Sequence, residues 1–313
     1  MSTQSAGLHH ITSIASDPRE NVRFYTRELG LRFVKKTVNF DDPGSYHLYF
    51  GDETGRPGSI MTFFPWPGVK AGRHGTGQAE EVGYAVPKAS IGWWAERLGA
   101  RGIAFEGPTR RFEESVLLLK DPDGHFVEIV GTDWAGAVAG WAGGEVPAEH
   151  AVRGFSGVTL WLSEAAATAR VLTEALGFAE VGSDNGRRRF AAGAGDLGTV
   201  VDLREVGGYP AGKLGAGIVH HIAFRASDDA AQAEMAEQAR RLVSQVTPQV
   251  DRNYFRSVYF REPGGVLFEI ATDDPGFAVD EPVAHLGEAL KLPPQYEPHR
   301  AKIEAALPEL GQP

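Results

Sequence analysis

Residues 8–18, LHHITSIASDP, and residues 219–229, VHHIAFRASDD, read almost alike although they lie in opposite halves of the chain. Each opens on an apolar run suited to a strand and ends on an acidic residue suited to cap a helix. The stretch after Asp17, PRENVRFYTRELG, places Val22, Phe24, Tyr25 and Leu29 near one helical face, with Gly30 as a stop. After Asp228 the corresponding helix is AAQAEMAEQARRL. Two copies of one strand–helix unit predict an architecture of repeated modules.

A second repeat extends the unit. LLKDPDGHFVEIVGTD (118–133) and YFREPGGVLFEIATD (259–273) both read as strand, acid-Pro-x-Gly turn and strand. Proline presets φ for the turn and glycine accepts a positive φ, so two antiparallel strands join without strain. Four units of strand, helix and three strands follow, at roughly 8–64, 80–132, 154–204 and 218–273, with SIGWWAERLGARG and EAAATARVLTEALGF as the helices of the middle two. Glycine-rich connectors near 65–79, 134–150 and 205–217 separate them, and a proline-rich, partly helical tail runs from 274. The expected fold is α+β: four βαβββ modules forming two cup-shaped barrels, with modules one and two in residues 1–150 and modules three and four in 151–313.

A helix covering one face of a small curved sheet leaves the other face concave, and polar side chains on that face need a purpose. Period-two alternation compares equivalent inward positions across the modules. The first strand offers His10, Glu81, Gly157 and His221; the fourth offers Thr62, Glu128, Asp202 and Glu269. Modules one and four together supply two imidazoles and a carboxylate, a facial set that leaves metal positions open. The other pairing, of adjacent modules, would set His10 with Glu81 and Glu128, and Asp202 with His221 and Glu269. A lone strand histidine is more often a buried, hydrogen-bonded core group, but two at equivalent repeat positions beside a glutamate favour a metal. Glu128 reads as structural.

Composition narrows the chemistry. With 42% hydrophobic residues over 313 positions the chain can bury a large core. The absence of cysteine excludes disulfides, thiolate nucleophiles and cysteine-held metals, so any metal rests on histidine and carboxylate. A net charge of −10 disfavours nucleic acid and anionic membranes. No signal-peptide pattern opens the chain and no run of about 18 apolar residues occurs, so a cytoplasmic protein is expected, its self-association left open.

Through its four strand-helix-three-strand units the chain resembles the vicinal oxygen chelate superfamily of glyoxalases, bleomycin-resistance proteins and extradiol dioxygenases. VYFREPGGVLFE (258–269) is similar to the extradiol dioxygenase signature, which implies Tyr259 near substrate and Glu269 on the metal. Where catechol-cleaving enzymes carry a histidine before that tyrosine, this chain has Arg252, in DRNYFRSV. That arginine, the paired histidines and the tail LGEALKLPPQYEPHRAKIEAALPEL look like the hydroquinone 1,2-dioxygenase subfamily. The resemblance implies Fe(II), or Mn(II), on His10, His221 and Glu269, with a small aromatic diol and O2 as partners. It implies His9, Thr12, His220, Arg252 and Tyr259 as substrate-contacting or second-sphere groups.

Alternation supports these roles unequally. Thr12 shares the face of His10, whereas His9 and His220 should point away from their neighbours. Arg252 and Tyr259 share a face only if the strand is bulged or bent between them. Phe63, Phe64 and Trp66 are candidate ring-lining residues, and the tail is a candidate lid whose Tyr296 and His299 would otherwise be surface groups. The competing readings are a glyoxalase-type isomerase or thiol transferase, which would need a fourth metal ligand where Thr62 stands, and a metal-free ligand-sequestering protein.

Overall fold

The computed structural model describes residues 4–193 and 196–310. Module one contains β1 (Leu8–Ala15), α1 (Pro18–Arg23), β2 (Arg32–Asn39), β3 (Asp42–Gly51) and β4 (Ile60–Pro65). Module two contains β5 (Gln78–Pro87), α2 (Ile91–Ala100), β6 (Phe105–Arg111), β7 (Glu114–Lys120) and β8 (Phe126–Thr132). Module three contains β9 (Phe155–Leu162), α3 (Ala166–Arg170), β10 (Ala179–Asp184), β11 (Arg187–Ala191) and β12 (Val200–Glu205). Module four contains β13 (Val219–Ala226), α4 (Asp229–Arg240), β14 (Val250–Asp251), β15 (Arg256–Arg261) and β16 (Leu267–Thr272), and the tail ends in α5 (Arg300–Ala306). The caps read from sequence act as caps: Asp17 accepts the Arg19 N–H at 2.8 Å and Asp228 accepts the Ala231 N–H at 2.8 Å.

Two curled eight-stranded sheets result. One runs β14-β15-β16-β13-β1-β4-β3-β2 and the other β10-β11-β12-β9-β5-β8-β7-β6. Module one therefore joins module four through the antiparallel β1–β13 pair, and modules two and three join through β5–β9. Each sheet draws one module from either side of residue 150. All eight residues of β1 are buried, because one face packs on the core and the other floors the cup. Ile11, Tyr25 and Phe63 belong to the same apolar core as Trp94, Ile129, Phe155 and Phe224, so the two cups stand back to back on one interior.

The acid of each acid-Pro-x-Gly turn closes it. Asp121 accepts the backbone N–H groups of Asp123 and His125, both at 2.9 Å, and Glu262 accepts those of Gly264 and Val266. His125 is fully buried, and burial pushes its imidazole down to about 3. The folded state thus holds it neutral while the unfolded chain takes up a proton near pH 6.5, so its contribution to stability is lost as pH falls below that value. Between pH 7 and pH 5 the loss is about 2 kcal/mol. Urea unfolding of His125→Gln beside the parent at the two pH values should show the difference in stability moving in the variant's favour by that amount.

The tail is strapped to module one by a buried cation. The Lys35 ammonium, with no exposed surface, lies 2.5 Å from Asp280 and 2.6 Å from Glu281, and Glu281 also accepts the Gly287 N–H. Lys35→Met leaves these carboxylates without their cation, and a loss of roughly 3–5 kcal/mol is expected by thermal or denaturant unfolding. Further along, the Tyr296 hydroxyl donates to the Phe40 carbonyl at 2.7 Å, so this residue pins the β2–β3 turn. Among the described residues no helix is long and apolar enough to cross a membrane.

Candidate metal centre

Three strands of the first sheet bring the site together. Thr12 on β1 lies opposite His221 on β13, and His10 lies opposite Ala223, whose other neighbour is Glu269 on β16. His221 Nε2 is 3.0 Å from Glu269 Oε2, His10 Nε2 is 3.4 Å from the same oxygen, and the two Nε2 atoms are 3.4 Å apart. This is the one cluster of three potential metal-ligating groups found among the described residues, and all three side chains are buried. Burial alone would push the Glu269 carboxyl up, but the adjoining His10 and His221 imidazoles hold it well below its ordinary value. Its other oxygen accepts the Ser257 hydroxyl at 2.5 Å.

His9 and His220 do not point away as strict alternation requires. The β1–β13 register slips between Leu8 and His10, and again where Thr12–His221 gives way to Ser13–Val219, so each of these residues is the extra one of a β-bulge. The bulges turn both rings back toward their neighbours. His9 Nδ1 lies 3.0 Å from His10 Nδ1, and His220 Nδ1 lies 2.8 Å from His221 Nδ1. If His10 and His221 offer Nε2 lone pairs to a metal, their Nδ1 atoms carry hydrogens, and His9 and His220 are the acceptors that orient them. Burial and His10 keep the His9 imidazole well below its ordinary range, and burial and His221 push His220 down to about 3.

Beside His10 and His221 opens a cavity of about 290 Å³. Phe64 and Trp66, stacked at 5.6 Å, form one wall with His47, and Arg252, Phe255 and Tyr259 line it elsewhere. Phe63 does not line it, because alternation turns that ring into the core. A kink aligns Arg252 with Tyr259: Asn253 takes a positive φ of 67°, and the Arg252 N–H donates back to the Phe255 carbonyl at 2.9 Å. Arg252 Nε then donates to the Tyr259 hydroxyl at 3.1 Å and its Nη1 to Asp41 at 3.2 Å. Burial, reinforced by Glu269, raises the Tyr259 phenol despite Arg252, so it holds its proton.

The reading from sequence did not include His47 or Ser257. Each occupies the inward position two residues before a tyrosine on the third strand of its module, Tyr49 or Tyr259, and that shared offset was the available signal.

In the second cup the equivalent positions are filled by ion pairs. Glu128 holds Arg111 at 2.7 and 2.9 Å, Asp202 holds Arg189 at 2.8 and 2.9 Å, and Glu81 pairs with Arg187. At Gly157 an added Cβ would sit 2.6 Å from the Val200 carbonyl, so no side chain fits there. The sheet order separates Glu81, Glu128 and Asp202 from His10 and His221, which rules out the pairing of adjacent modules.

Comparison with known proteins agrees with this geometry. The model of the Glyoxalase/Bleomycin resistance protein/Dioxygenase superfamily matches residues 7–129 and 154–270. A Bacillus subtilis (strain 168) protein named as a ring-cleaving dioxygenase, MhqO, is 46% identical over 98% of this chain and 97% of its own length. The chlorohydroquinone/hydroquinone 1,2-dioxygenase of Sphingobium indicum is 36% identical over 93% of this chain and 92% of its own. A crystal structure of a Bacillus subtilis protein described as a dioxygenase superposes with a TM-score of 0.93, at 45% identity, covering 99% of both chains. The chain belongs to the Glyoxalase/Bleomycin resistance protein/Dioxygenase superfamily, and within it to the ring-cleaving dioxygenase enzymes.

Proposed function

We propose that this enzyme opens the ring of a hydroquinone, plain or bearing a methyl or chloro substituent, by extradiol-type insertion of both atoms of O2. The metal is a divalent ion held by His10, His221 and Glu269, with Fe(II) as the native ion and Mn(II) as its alternate. The observation that carries the reading is the convergence of two imidazole nitrogens and one carboxylate oxygen at the floor of an aromatic-walled cavity. Three protein ligands from neighbouring strands leave room for both a phenolate and O2. A glyoxalase-type site would need a fourth ligand, and the inward position that could provide one is Thr62, whose hydroxyl is engaged with Thr12 and His47.

Bound there, a redox-active divalent ion would supply Lewis acidity toward the phenol and electron exchange with O2. The protein's own groups do the rest. Phe64, Trp66 and Phe255 confine a flat ring and exclude water. His220 receives the His221 hydrogen on Nδ1 and therefore presents Nε2–H to the cavity as a donor. Tyr259, its phenol raised by burial, is a donor as well, so both deliver protons to developing oxyanions instead of removing them. Arg252 adds a fixed positive charge beside them. His9 keeps the His10 ring in the metal-binding tautomer, and Thr12 stands on the same face.

The test is to load metal-free enzyme with Fe(II), Mn(II) or Zn(II) and follow the disappearance of hydroquinone in air. Turnover with Fe(II) or Mn(II) and none with Zn(II) is expected. Inertness toward hydroquinone with every ion, together with isomerisation of a thiohemiacetal by the Zn(II) form, would replace this reading with the glyoxalase one.

A further inference from the structure

The sheet that carries the ligands ends in β2 on one side and β14 on the other. Its curl brings together the segments that follow these edges. Arg252, just past β14, donates to Asp41, just past β2, at 3.2 Å, and this pair closes the rim of the cup. Two strands, β4 and β3, separate β2 from the β1 strand of His10, so the rim lies away from the ligands. Asn39 is the last residue of β2. Its neighbour Val38 packs against Leu292 and Ile303 of the tail, so alternation turns Asn39 to the opposite face, where it lines the cavity. The turn it begins is held from two sides, by the Tyr296 bond to the Phe40 carbonyl and by the Arg252–Asp41 pair.

The other polar groups lining this end are occupied. Arg252 is bonded to Tyr259 and Asp41, the Asp41 side chain is largely exposed, and Trp66 Nε1 donates to the Ser45 hydroxyl at 3.3 Å. Asn39 is only 9% exposed, and its Oδ1 accepts the Asp41 N–H at 2.9 Å, which fixes the oxygen end of the amide. The Nδ2 end has no acceptor among the described residues. An amide donor so nearly buried is costly to leave unpaired, and one facing a cavity is suited to an oxygen of whatever binds there.

We infer that Asn39 recognises the second hydroxyl of a para-diol, donating from Nδ2 to the ring oxygen remote from His10, His221 and Glu269. In a para-diol the second oxygen points directly away from the first, toward the rim; in an ortho-diol both oxygens stay beside the ligands. A site built to bond that oxygen discriminates against rings that lack it. The inference rests on the ring-cleavage reading for the placement of the first oxygen.

The test is equilibrium binding, by titration calorimetry without oxygen, of hydroquinone, phenol and catechol to Fe(II)-loaded parent and Asn39→Ser. Serine can still accept the Asp41 N–H, as asparagine does, but carries no amide donor. The parent should bind hydroquinone about three- to ten-fold more tightly than phenol, the worth of one hydrogen bond. In Asn39→Ser that preference should fall to about two-fold or less, with phenol and catechol bound as in the parent. Asn39→Ala should behave likewise. In turnover the loss should appear in KM for hydroquinone and not in kcat, because the contact is made away from the reacting end. A parent without the preference, a preference that survives in Asn39→Ser, or an equal weakening of all three ligands would overturn the inference. The two readings fail separately: hydroquinone bound with an Asn39-dependent preference yet never consumed removes ring cleavage and keeps the recognition, whereas turnover with an undisturbed preference in Asn39→Ser does the reverse.

Discussion

Glu269→Ala enzyme should lose roughly a thousand-fold or more of its ring-cleaving rate and bind divalent metal far more weakly, well beyond the 10–100-fold typical of a change outside the ligand set. The reason is electrostatic. Among the described residues Glu269 is the one anionic group whose oxygen meets His10 Nε2 and His221 Nε2, at 3.4 and 3.0 Å, so its removal leaves two neutral imidazoles facing a doubly charged ion. Titration calorimetry with Mn(II) measures the lost affinity directly, and circular dichroism shows whether the fold is kept. Ser257→Ala, which removes only the hydroxyl that steadies the other carboxylate oxygen, should fall within the 10–100-fold range. Equal metal affinity in the Glu269 variant and the parent would place the metal elsewhere.

The second large effect is expected at Arg252. Arg252→Ala should lower kcat by about 10²–10³-fold, as loss of a fixed donor at a developing oxyanion does elsewhere. Arg252→Lys should not rescue it. The guanidinium donates in two directions at once, through Nε to Tyr259 and through Nη1 to Asp41, and an ammonium on a flexible stem cannot hold both. Tyr259→Phe, which deletes one of those partners, should cost about ten-fold or less. Steady-state kinetics on the three variants decides the matter. A fully active lysine variant would mean that charge alone suffices there.

The candidate ligand cluster was legible in the sequence because the chain repeats itself. LHHI and VHHI sit at the same point of two modules, so His10 and His221 share a register, and the EPGG turn fixes where Glu269 falls on its strand. The union of modules one and four also followed from the ligands, since only that pairing unites two histidines with a glutamate. What stayed hidden depends on departures from regular geometry. Alternation assigns the direction of a Cα–Cβ bond, but it fails at a bulge, and the bulges at His9 and His220 turn both rings back onto the ligands. The kink at Asn253 likewise brings Arg252 into line with Tyr259, a required bend whose place no periodicity marks. His47 was overlooked for a different reason: no other module repeats the histidine of the SYHLYF run, since Val116, Arg187 and Ser257 stand two residues before the positions facing Glu128, Asp202 and Glu269, so only the offset to tyrosine that it shares with Ser257 marked it.

The most direct measurement is oxygen uptake by anaerobically purified enzyme reconstituted with Fe(II) and offered hydroquinone, methylhydroquinone, chlorohydroquinone and catechol in turn, beside His221→Ala treated identically. Uptake with the para-diols, exceeding that with catechol and absent from His221→Ala, is the expected result. No uptake with any diol by metal-loaded enzyme, or equal uptake by the His221 variant, would contradict ring cleavage at the His10, His221 and Glu269 centre.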